Sequence, residues 1–220
     1  MRPGRGAAPL VYLVTDRRAT LGRPLASVIA AALQALPATG FPPHAVAVQL
    51  REKDLEARAL LELARGLSAV TSLAGARLFV NDRVDVALAA RADGVHLGQG
   101  ALSPDDVRAL APTLAIAVST HAPREVERAD SRPGAVAFAV LGPIFDTPSK
   151  RPFGPPLGIE ALATACAGSL PVVAIGGVTS SHVACCFAAG AAGIACIRDV
   201  LADPDPRAAL TRIFEAIERT

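Results

Sequence analysis

Short runs of Val, Ile, Leu and Ala alternate along the chain with longer segments in which apolar residues recur at helical spacing. Buried parallel strands covered by helices produce this pattern, because both faces of such strands are apolar. The predicted strands are Leu10–Asp16, Ala45–Glu52, Ala76–Asp82, Gly94–Gln99, Ala115–His121, Val136–Pro143, Pro171–Gly177 and Gly193–Arg198. The predicted helices are Leu21–Leu36, Leu55–Val70, Arg83–Ala90, Pro104–Ala111, Pro123–Ala129, Ile159–Ala167, Ser181–Ala188 and Pro206–Arg219. Eight strand-helix pairs in series predict a single (β/α)₈ TIM barrel.

Composition supports one large domain over residues 1–220, in which residues 1–8 form a flexible tail. Hydrophobic residues make up 51% of the 220 residues and charged residues 19%, which suffices for a sizeable core. The formal net charge is +2, with one Tyr and no Trp, so nucleic acid is not an expected partner. No signal peptide or membrane-spanning apolar run is apparent, so we expect a cytoplasmic, soluble protein and no membrane partner. A homo-oligomer is compatible with the sequence.

Cysteines and most histidines are interpreted as structural. The four cysteines lie in apolar runs without metal-binding spacing, which indicates buried reduced thiols: Cys166, Cys185, Cys186 and Cys196. His44 lies in a loop, His182 begins a helix and His96 lies inside a strand. The structural interpretation is least firm for His96, because alternate side chains of a barrel strand point inward.

Polar residues end six consecutive predicted strands, and the carboxyl ends of barrel strands form the mouth where such barrels place their chemistry. They are Thr15 and Asp16; Gln49, Arg51 and Lys53; Asn81 and Asp82; Gln99; Ser119, Thr120 and His121; and Thr147, Ser149 and Lys150. The only two lysines of the chain, Lys53 and Lys150, are both in this set. A lysine ammonium can meet a phosphate as a point charge, so both are predicted site residues.

A phosphate site is expected after the last two strands. Gly176 and Gly177 precede a predicted helix, and Arg198 ends the eighth predicted strand. Barrels commonly bind phosphate between these loops, where backbone amides face the anion. The long connection Ile144–Gly158 contains four prolines and two glycines, and loops of this length tend to be functional.

These motifs resemble thiamine phosphate synthase and its relative thiazole tautomerase. The matching segments occur in order over nearly the whole chain: Tyr12–Asp16, Val48–Lys53, Val80–Asp82, Ala92–Gln99, Val118–His121, Leu141–Lys150 and Ala174–Gly177. The resemblance implies condensation of hydroxymethylpyrimidine diphosphate with a thiazole phosphate, releasing pyrophosphate, with Mg²⁺ as cofactor.

The same resemblance implies roles for individual residues. The pyrimidine diphosphate would be held by Gln49, Arg51, Lys53, Asn81, Ser119 and Lys150, and Mg²⁺ by Asp82. The thiazole phosphate would be held by Thr147, Pro148, Ser149, Gly177, Ile197 and Arg198. Arg51, Lys53, Ser119, His121 and Lys150 are the predicted catalytic residues; cations and Mg²⁺ would stabilise charge on the departing diphosphate.

Two departures from the family pattern keep alternatives open. Ala101 stands where synthases carry a second metal-binding Asp, and Arg198 stands where they commonly carry Ser. Asp105 or Asp106 could replace the missing ligand, although both begin a predicted helix after Ser103. A thiazole tautomerase with His121 as acid/base is the first alternative. A non-catalytic barrel that binds a thiamine precursor is the second.

Overall fold

Eight parallel strands close into a barrel in a computed structural model of the chain, which describes residues 8–131, 134–148 and 151–220. The strands are β1 Val11–Val14, β2 Val46–Leu50, β3 Arg77–Asn81, β4 Gly94–Leu97, β5 Ala115–Thr120, β6 Phe138–Leu141, β7 Val172–Ile175 and β8 Gly193–Cys196. Each strand pairs with the next in the chain, and β8 pairs with β1 through Ala195 and Tyr12. The predicted (β/α)₈ barrel is confirmed.

Helices follow the strands around the outside of the barrel. Those of the described residues are α1 Leu25–Leu33, α2 Ala57–Ala74, α3 Val84–Ala89, α4 Pro104–Leu110, α5 Pro123–Asp130, α6 Gly158–Ala165, α7 Val183–Ala188, α8 Arg198–Leu201 and α9 Pro206–Glu218. In this part of the chain, none of these helices has the length and continuous apolar character needed to cross a membrane. Residues 1–7 of the predicted tail lie outside the described residues, and Ala8 packs against the barrel interior.

Apolar side chains form two separate layers, as strand alternation requires. One layer fills the space between strands and helices, with residues such as Val48, Leu78 and Ile194. The other fills the barrel itself and is centred on three buried aromatic rings, Tyr12, Phe79 and Phe138. Each pair of these rings meets edge to face, with centroids 5.4–5.7 Å apart. The interior is therefore a packed core below the mouth.

The close packing of the interior depends on a glycine in β4. A Cβ atom on Gly94 would lie 2.3 Å from Cε1 of Phe79 and 2.6 Å from the carbonyl oxygen of Ala115. The Phe79 ring therefore occupies the volume that a side chain at this position would need. The predicted strand start at Gly94 is confirmed. Glycine is required at this position because any side chain would clash with the Phe79 ring.

Several predicted boundaries were wrong. The first predicted helix, Leu21–Leu36, is shortened to Leu25–Leu33, because Leu21 adopts a left-handed backbone with φ 56° and Pro24 precedes the first helical turn. The second predicted helix, Leu55–Val70, runs instead over Ala57–Ala74. Arg198 was assigned to the end of the eighth strand, yet the strand ends at Cys196 and Arg198 begins the unpredicted helix α8.

Candidate active site

Four polar side chains extend the inward-facing positions of neighbouring strands toward the mouth. Gln49, Asn81 and Ser119 each lie two residues beyond a member of the inner apolar layer, so they point to the same side. His96 of β4 also points inward, because its ring contacts the Tyr12 hydroxyl. The barrel interior thus changes from aromatic below to polar at the carboxyl ends of β2, β3, β4 and β5.

A row of hydrogen bonds joins β2 to the loop after β4. Gln49 Nε2 donates to Asn81 Oδ1 at 2.8 Å, and Asn81 Nδ2 donates to Asp82 Oδ2 at 2.7 Å. The other carboxylate oxygen of Asp82 accepts from the backbone N–H of Gly98 at 2.7 Å. Asp82 itself has a left-handed backbone, φ 58°, which is uncommon for a residue with a side chain. These contacts fix the Asp82 carboxylate at the mouth, as predicted from its position after β3.

Arg51 and Lys53 lie in the loop after β2, which is anchored to β1 by a buried carboxylate. Glu52 is 5% exposed and accepts from the Thr15 hydroxyl at 2.8 Å and from the Arg17 backbone N–H at 3.0 Å. The Thr15 hydroxyl also accepts from the backbone N–H of Arg51 at 2.9 Å. Glu52 therefore points away from solvent, while the side chains of Arg51 and Lys53 on either side of it are exposed.

The two cations act electrostatically on the inside of the barrel. Burial, with a smaller contribution from the positive charges of Arg51 and Lys53, lowers the pKa of His96 to about 3. His96 is 2% exposed, so its ring is neutral at physiological pH. The positive charges of Arg51 and Lys53 therefore reach the polar row, and their role in binding an anion stays a prediction.

The end of β5 contributes Ser119 and His121 in different ways. Ser119 Oγ lies 2.8 Å from Nε2 of His96, inside the mouth. His121 is exposed, and its Nδ1 donates to the Gly142 carbonyl oxygen at 2.7 Å, which leaves Nε2 as the nitrogen that can accept a proton. The His121 backbone N–H donates to Glu125, so strand end and ring are both held in place.

The loops after β6, β7 and β8 meet at the other side of the mouth. A Cβ atom on Gly177, whose φ is 65°, would lie 2.5 Å from the Asp146 carbonyl oxygen and 2.8 Å from Cβ of Phe145. The β6 loop that continues to Thr147 and Pro148 therefore packs directly on the glycine turn after β7. The Phe145 ring also stacks on His182, with centroids 4.0 Å apart.

Helix α8 completes this side of the mouth. Ile197 precedes it and Arg198 is its first residue, exposed to solvent. Arg23 holds its other end: guanidinium N–H groups donate to the carbonyl oxygens of Leu201 at 2.9 Å and Asp203 at 2.7 Å. A short extra helix after the last strand is the element that barrels of this kind use beside a phosphate. Arg198 therefore lies at a helix start and not at a strand end, and its predicted role in binding phosphate stays a prediction.

Some predicted site residues are placed differently or lie outside the described residues. Ser149 and Lys150 are outside them, so the meeting of Lys53 with Lys150 stays a prediction. Thr15 was expected at the open rim, but it is 1% exposed and anchors the β2 loop. Asp16 accepts from the Arg18 backbone N–H at the start of a short 3₁₀ helix.

Three contributors were missed or misread from sequence. His96 was interpreted as structural, with the note that its side chain could point inward; it does point inward and contacts Ser119, a predicted site residue. Gly94, two residues earlier on the same strand, also faces the interior, and this spacing is the signal. Glu52 and Arg23 gave no signal, because their partners Arg17 and Leu201 are distant in the chain.

Metal binding at this mouth would depend on Asp82. Across residues 8–131, 134–148 and 151–220, no group of three or more His, Cys, Asp or Glu side chains is arranged to hold a metal. The Asp106 carboxylate accepts from the Ser103 hydroxyl, which in turn accepts from the Asp106 backbone N–H as the cap of α4, so helix capping accounts for this carboxylate. Ala101 lies on the same turn as Gly98, since its N–H donates to the Gly98 carbonyl oxygen at 3.1 Å.

Sequence and structure comparisons agree on the family. The sequence model of the family described as thiamine monophosphate synthase matches residues 11–200. A putative thiamine-phosphate synthase of Geobacter sulfurreducens is 47% identical over 90% of this chain and 89% of its own length. A thiamine-phosphate synthase of Roseiflexus castenholzii is 44% identical over 94% of this chain and 86% of its own.

A solved structure leads to the same conclusion. Thiamine phosphate pyrophosphorylase from Pyrococcus furiosus superposes with a TM-score of 0.83 at 30% sequence identity, covering 98% of each chain. The residues that match the family model, 11–200, include all eight strands and the polar row at their carboxyl ends. The chain belongs to the thiamine monophosphate synthase family.

Proposed function

We propose that this enzyme joins hydroxymethylpyrimidine diphosphate to a thiazole phosphate, forming thiamine phosphate and releasing pyrophosphate. The main support for this proposal is the hydrogen-bonded row of Gln49, Asn81 and Asp82 at the ends of β2 and β3. It lies beside the cations Arg51 and Lys53. Such a mouth presents amide and hydroxyl groups inside and fixed positive charge at its edge. This combination suits a heterocycle that carries a diphosphate.

The reaction breaks the C–O bond between the pyrimidine methylene carbon and the diphosphate, and the electron pair leaves with the diphosphate. The thiazole ring nitrogen supplies the electron pair of the new C–N bond. Negative charge grows on the departing oxygen, so cations that are already in place lower the barrier. Arg51 and Lys53 would supply this stabilisation together with Lys150, and Ser119 would donate a hydrogen bond to the diphosphate.

Magnesium fits this mouth as an ion shared with the substrate. Mg²⁺ is usually held by one or two carboxylates together with substrate phosphates, and Asp82 supplies one carboxylate whose orientation is fixed by Asn81 and Gly98. When bound, Mg²⁺ would neutralise charge on the diphosphate. Since Ala101 adds no oxygen ligand, the diphosphate would supply the larger share of the coordination.

The thiazole phosphate would lie against the loops after β6, β7 and β8. This assignment is supported by the packing of the β6 loop on Gly177 and by the position of Arg198 at the start of α8. Its predicted contacts are Thr147, Pro148, Ser149, Gly177, Ile197 and Arg198. A cytoplasmic location and a possible homo-oligomer remain part of this proposal; the free state of the four cysteines supports the location.

Release of pyrophosphate tests the proposal. Purified protein with Mg²⁺, hydroxymethylpyrimidine diphosphate and thiazole phosphate should form thiamine phosphate and pyrophosphate in equal amounts. Lys53→Ala and Arg51→Gln should each lower kcat/KM at least about tenfold, the effect of removing one charge-assisted hydrogen bond. Arg65→Gln, which removes an equal charge from the exposed side of α2, should leave kcat/KM unchanged.

A thiazole tautomerase is the second candidate, and the geometry of His121 favours it. With Nδ1 donating to Gly142, Nε2 is the nitrogen able to take and return a proton. The two functions differ in their products. Isomerisation of a thiazole carboxylate phosphate that requires no pyrimidine substrate, with no pyrophosphate released at any Mg²⁺ concentration, would replace the synthase by the isomerase. Tight binding of the pyrimidine diphosphate without either product would indicate the non-catalytic barrel.

A further inference from the structure

We propose that the buried Tyr12 hydroxyl fixes the tautomer of His96 and thereby turns the Ser119 hydroxyl proton toward the substrate diphosphate. Tyr12 lies in the inner aromatic layer below the mouth, so in this view it is a positioning residue that never touches substrate. The inference rests on the proposed function for what Ser119 contacts. The part of the inference that concerns the tautomer of His96 does not depend on which reaction the protein catalyses.

Three side chains form a continuous line from the barrel interior to the mouth. The Tyr12 hydroxyl lies 3.2 Å from Nδ1 of His96, and Nε2 of His96 lies 2.8 Å from Oγ of Ser119. The Tyr12 and His96 rings are stacked, with centroids 5.8 Å apart and planes 17° from parallel. Tyr12 is fully buried and His96 is 2% exposed, whereas Ser119 reaches solvent at the mouth.

The direction of these hydrogen bonds follows from the single proton of the phenol. Among the described residues, the hydroxyl of Tyr12 makes its only hydrogen bond with His96 Nδ1. A buried O–H that lacks an acceptor is costly, so the phenol donates to Nδ1. Burial also raises the pKa of Tyr12, so the hydroxyl keeps its proton. Nδ1 is therefore the unprotonated nitrogen of the ring.

A neutral imidazole carries its one proton on the other nitrogen. His96 is 2% exposed and its Nδ1 accepts from the Tyr12 hydroxyl, so the proton of the ring lies on Nε2, which donates to Ser119 Oγ. Ser119 then acts as acceptor toward the ring, and its own hydroxyl proton is left for a partner in the mouth. With the opposite tautomer, Ser119 would spend that proton on Nε2 and offer the diphosphate only lone pairs, which repel an anion.

Nitrogen-15 NMR of the ring nitrogens reads the tautomer directly in the unliganded wild-type protein. The chain has four histidines, and a His96→Asn variant assigns the His96 signals by their absence. We expect Nε2 at the shift of a protonated nitrogen and Nδ1 at that of an unprotonated one. In Tyr12→Phe, which removes only the hydroxyl, the two signals should move toward each other as both tautomers become populated. A wild-type ring protonated on Nδ1 would overturn the proposal even if the variant failed to fold.

Steady-state kinetics test the positioning half. Tyr12→Phe should lower kcat about tenfold with little change in KM, because the Ser119 hydrogen bond strengthens as charge grows on the diphosphate. In a Ser119→Ala background the same substitution should change kcat less than about twofold, since the group it positions is gone. Phe214→Leu is the control: it alters a buried aromatic ring of the outer apolar layer, which stacks on Phe41 with centroids 5.1 Å apart, and should leave kcat and the His96 signals unchanged.

The experiments distinguish failure of the positioning role from failure of the synthase assignment. Equal kcat losses from Tyr12→Phe with and without Ser119 would overturn the positioning role. So would a shifted tautomer with an unchanged kcat. Absence of pyrophosphate release from the wild type would instead refute the synthase assignment, while the NMR result would still report on His96.

Discussion

Replacement of Thr15 by valine tests how the β2 loop is held. The two side chains are nearly equal in shape, so the substitution removes one buried hydroxyl and leaves the packing intact. That hydroxyl donates to Glu52 Oε1 at 2.8 Å and accepts from the Arg51 N–H at 2.9 Å. The variant would leave the Arg51 N–H without this acceptor and would bring a methyl group against a carboxylate that is 5% exposed.

The expected cost follows from the partners that remain. A buried polar group left without its partner costs about 1–3 kcal/mol, and more when it is charged. Glu52 keeps two donors from Arg17, at 3.0 Å each, so the cost stays within this range despite the charge of the carboxylate. We expect unfolding free energy to fall by about 2 kcal/mol. For a chain of this size that corresponds to a Tm lower by about 4–8 °C. KM for the pyrimidine diphosphate should rise, because Arg51 loses its backbone anchor.

Urea denaturation gives the measurement, and Thr71→Val gives the control. Thr71 is equally buried in α2, but within the part of the chain that the structure describes its hydroxyl donates to carbonyl oxygens of its own helix, at Leu67 and Ser68. Its loss should cost less than about 1 kcal/mol, because those carbonyls retain helical partners. If Thr15→Val unfolds at the same urea concentration as Thr71→Val, the Glu52 anchor has no energetic importance and the reasoning is refuted.

Three further outcomes are expected. Gly94→Ala should destabilise the protein by about 3 kcal/mol or more through overpacking against Phe79, whereas Gly66→Ala, in open space on α2, should stabilise it by about 0.5–1 kcal/mol; equal urea midpoints would contradict the close packing. Ala101→Asp should lower the Mg²⁺ concentration for half-maximal activity, and an unchanged titration would place the metal elsewhere. Because the unfolded chain protonates residue 96 below about pH 6.5 and the folded chain does so only near pH 3, acidification from pH 6 to pH 5 should cost the wild type about 1 kcal/mol more than His96→Asn; parallel losses would mean that His96 is charged in the folded state.

The sequence predicted all eight strands and the end of the barrel that carries polar groups. Both depend on local pattern: apolar runs mark buried strands, and polar residues such as Asn81 and Asp82 end them. It also predicted the start of α4 from Ser103 and Pro104, where the hydroxyl accepts from the Asp106 N–H as a helix cap. Local signals of this kind need no knowledge of distant contacts.

Features that depend on contacts between strands were not predictable in the same way. Glu52 looks like any charged loop residue until β1 brings Thr15 and Arg17 against it. Helix α8 is a single turn without an apolar period, and its end is held by Arg23, far away in the chain. In the sequence, Tyr12 is indistinguishable from an ordinary apolar strand residue. Its contact with His96 exists only once the barrel has closed.

The aromatic layer inside the barrel has a consequence for molecular traffic. Tyr12, Phe79 and Phe138 close the central axis below the polar side chains, so no small molecule can cross the barrel from one end to the other. Whatever enters at the carboxyl ends of the strands must also depart there. Two substrates and two products would therefore use the same opening. Each product would have to leave through it before the next substrate could bind.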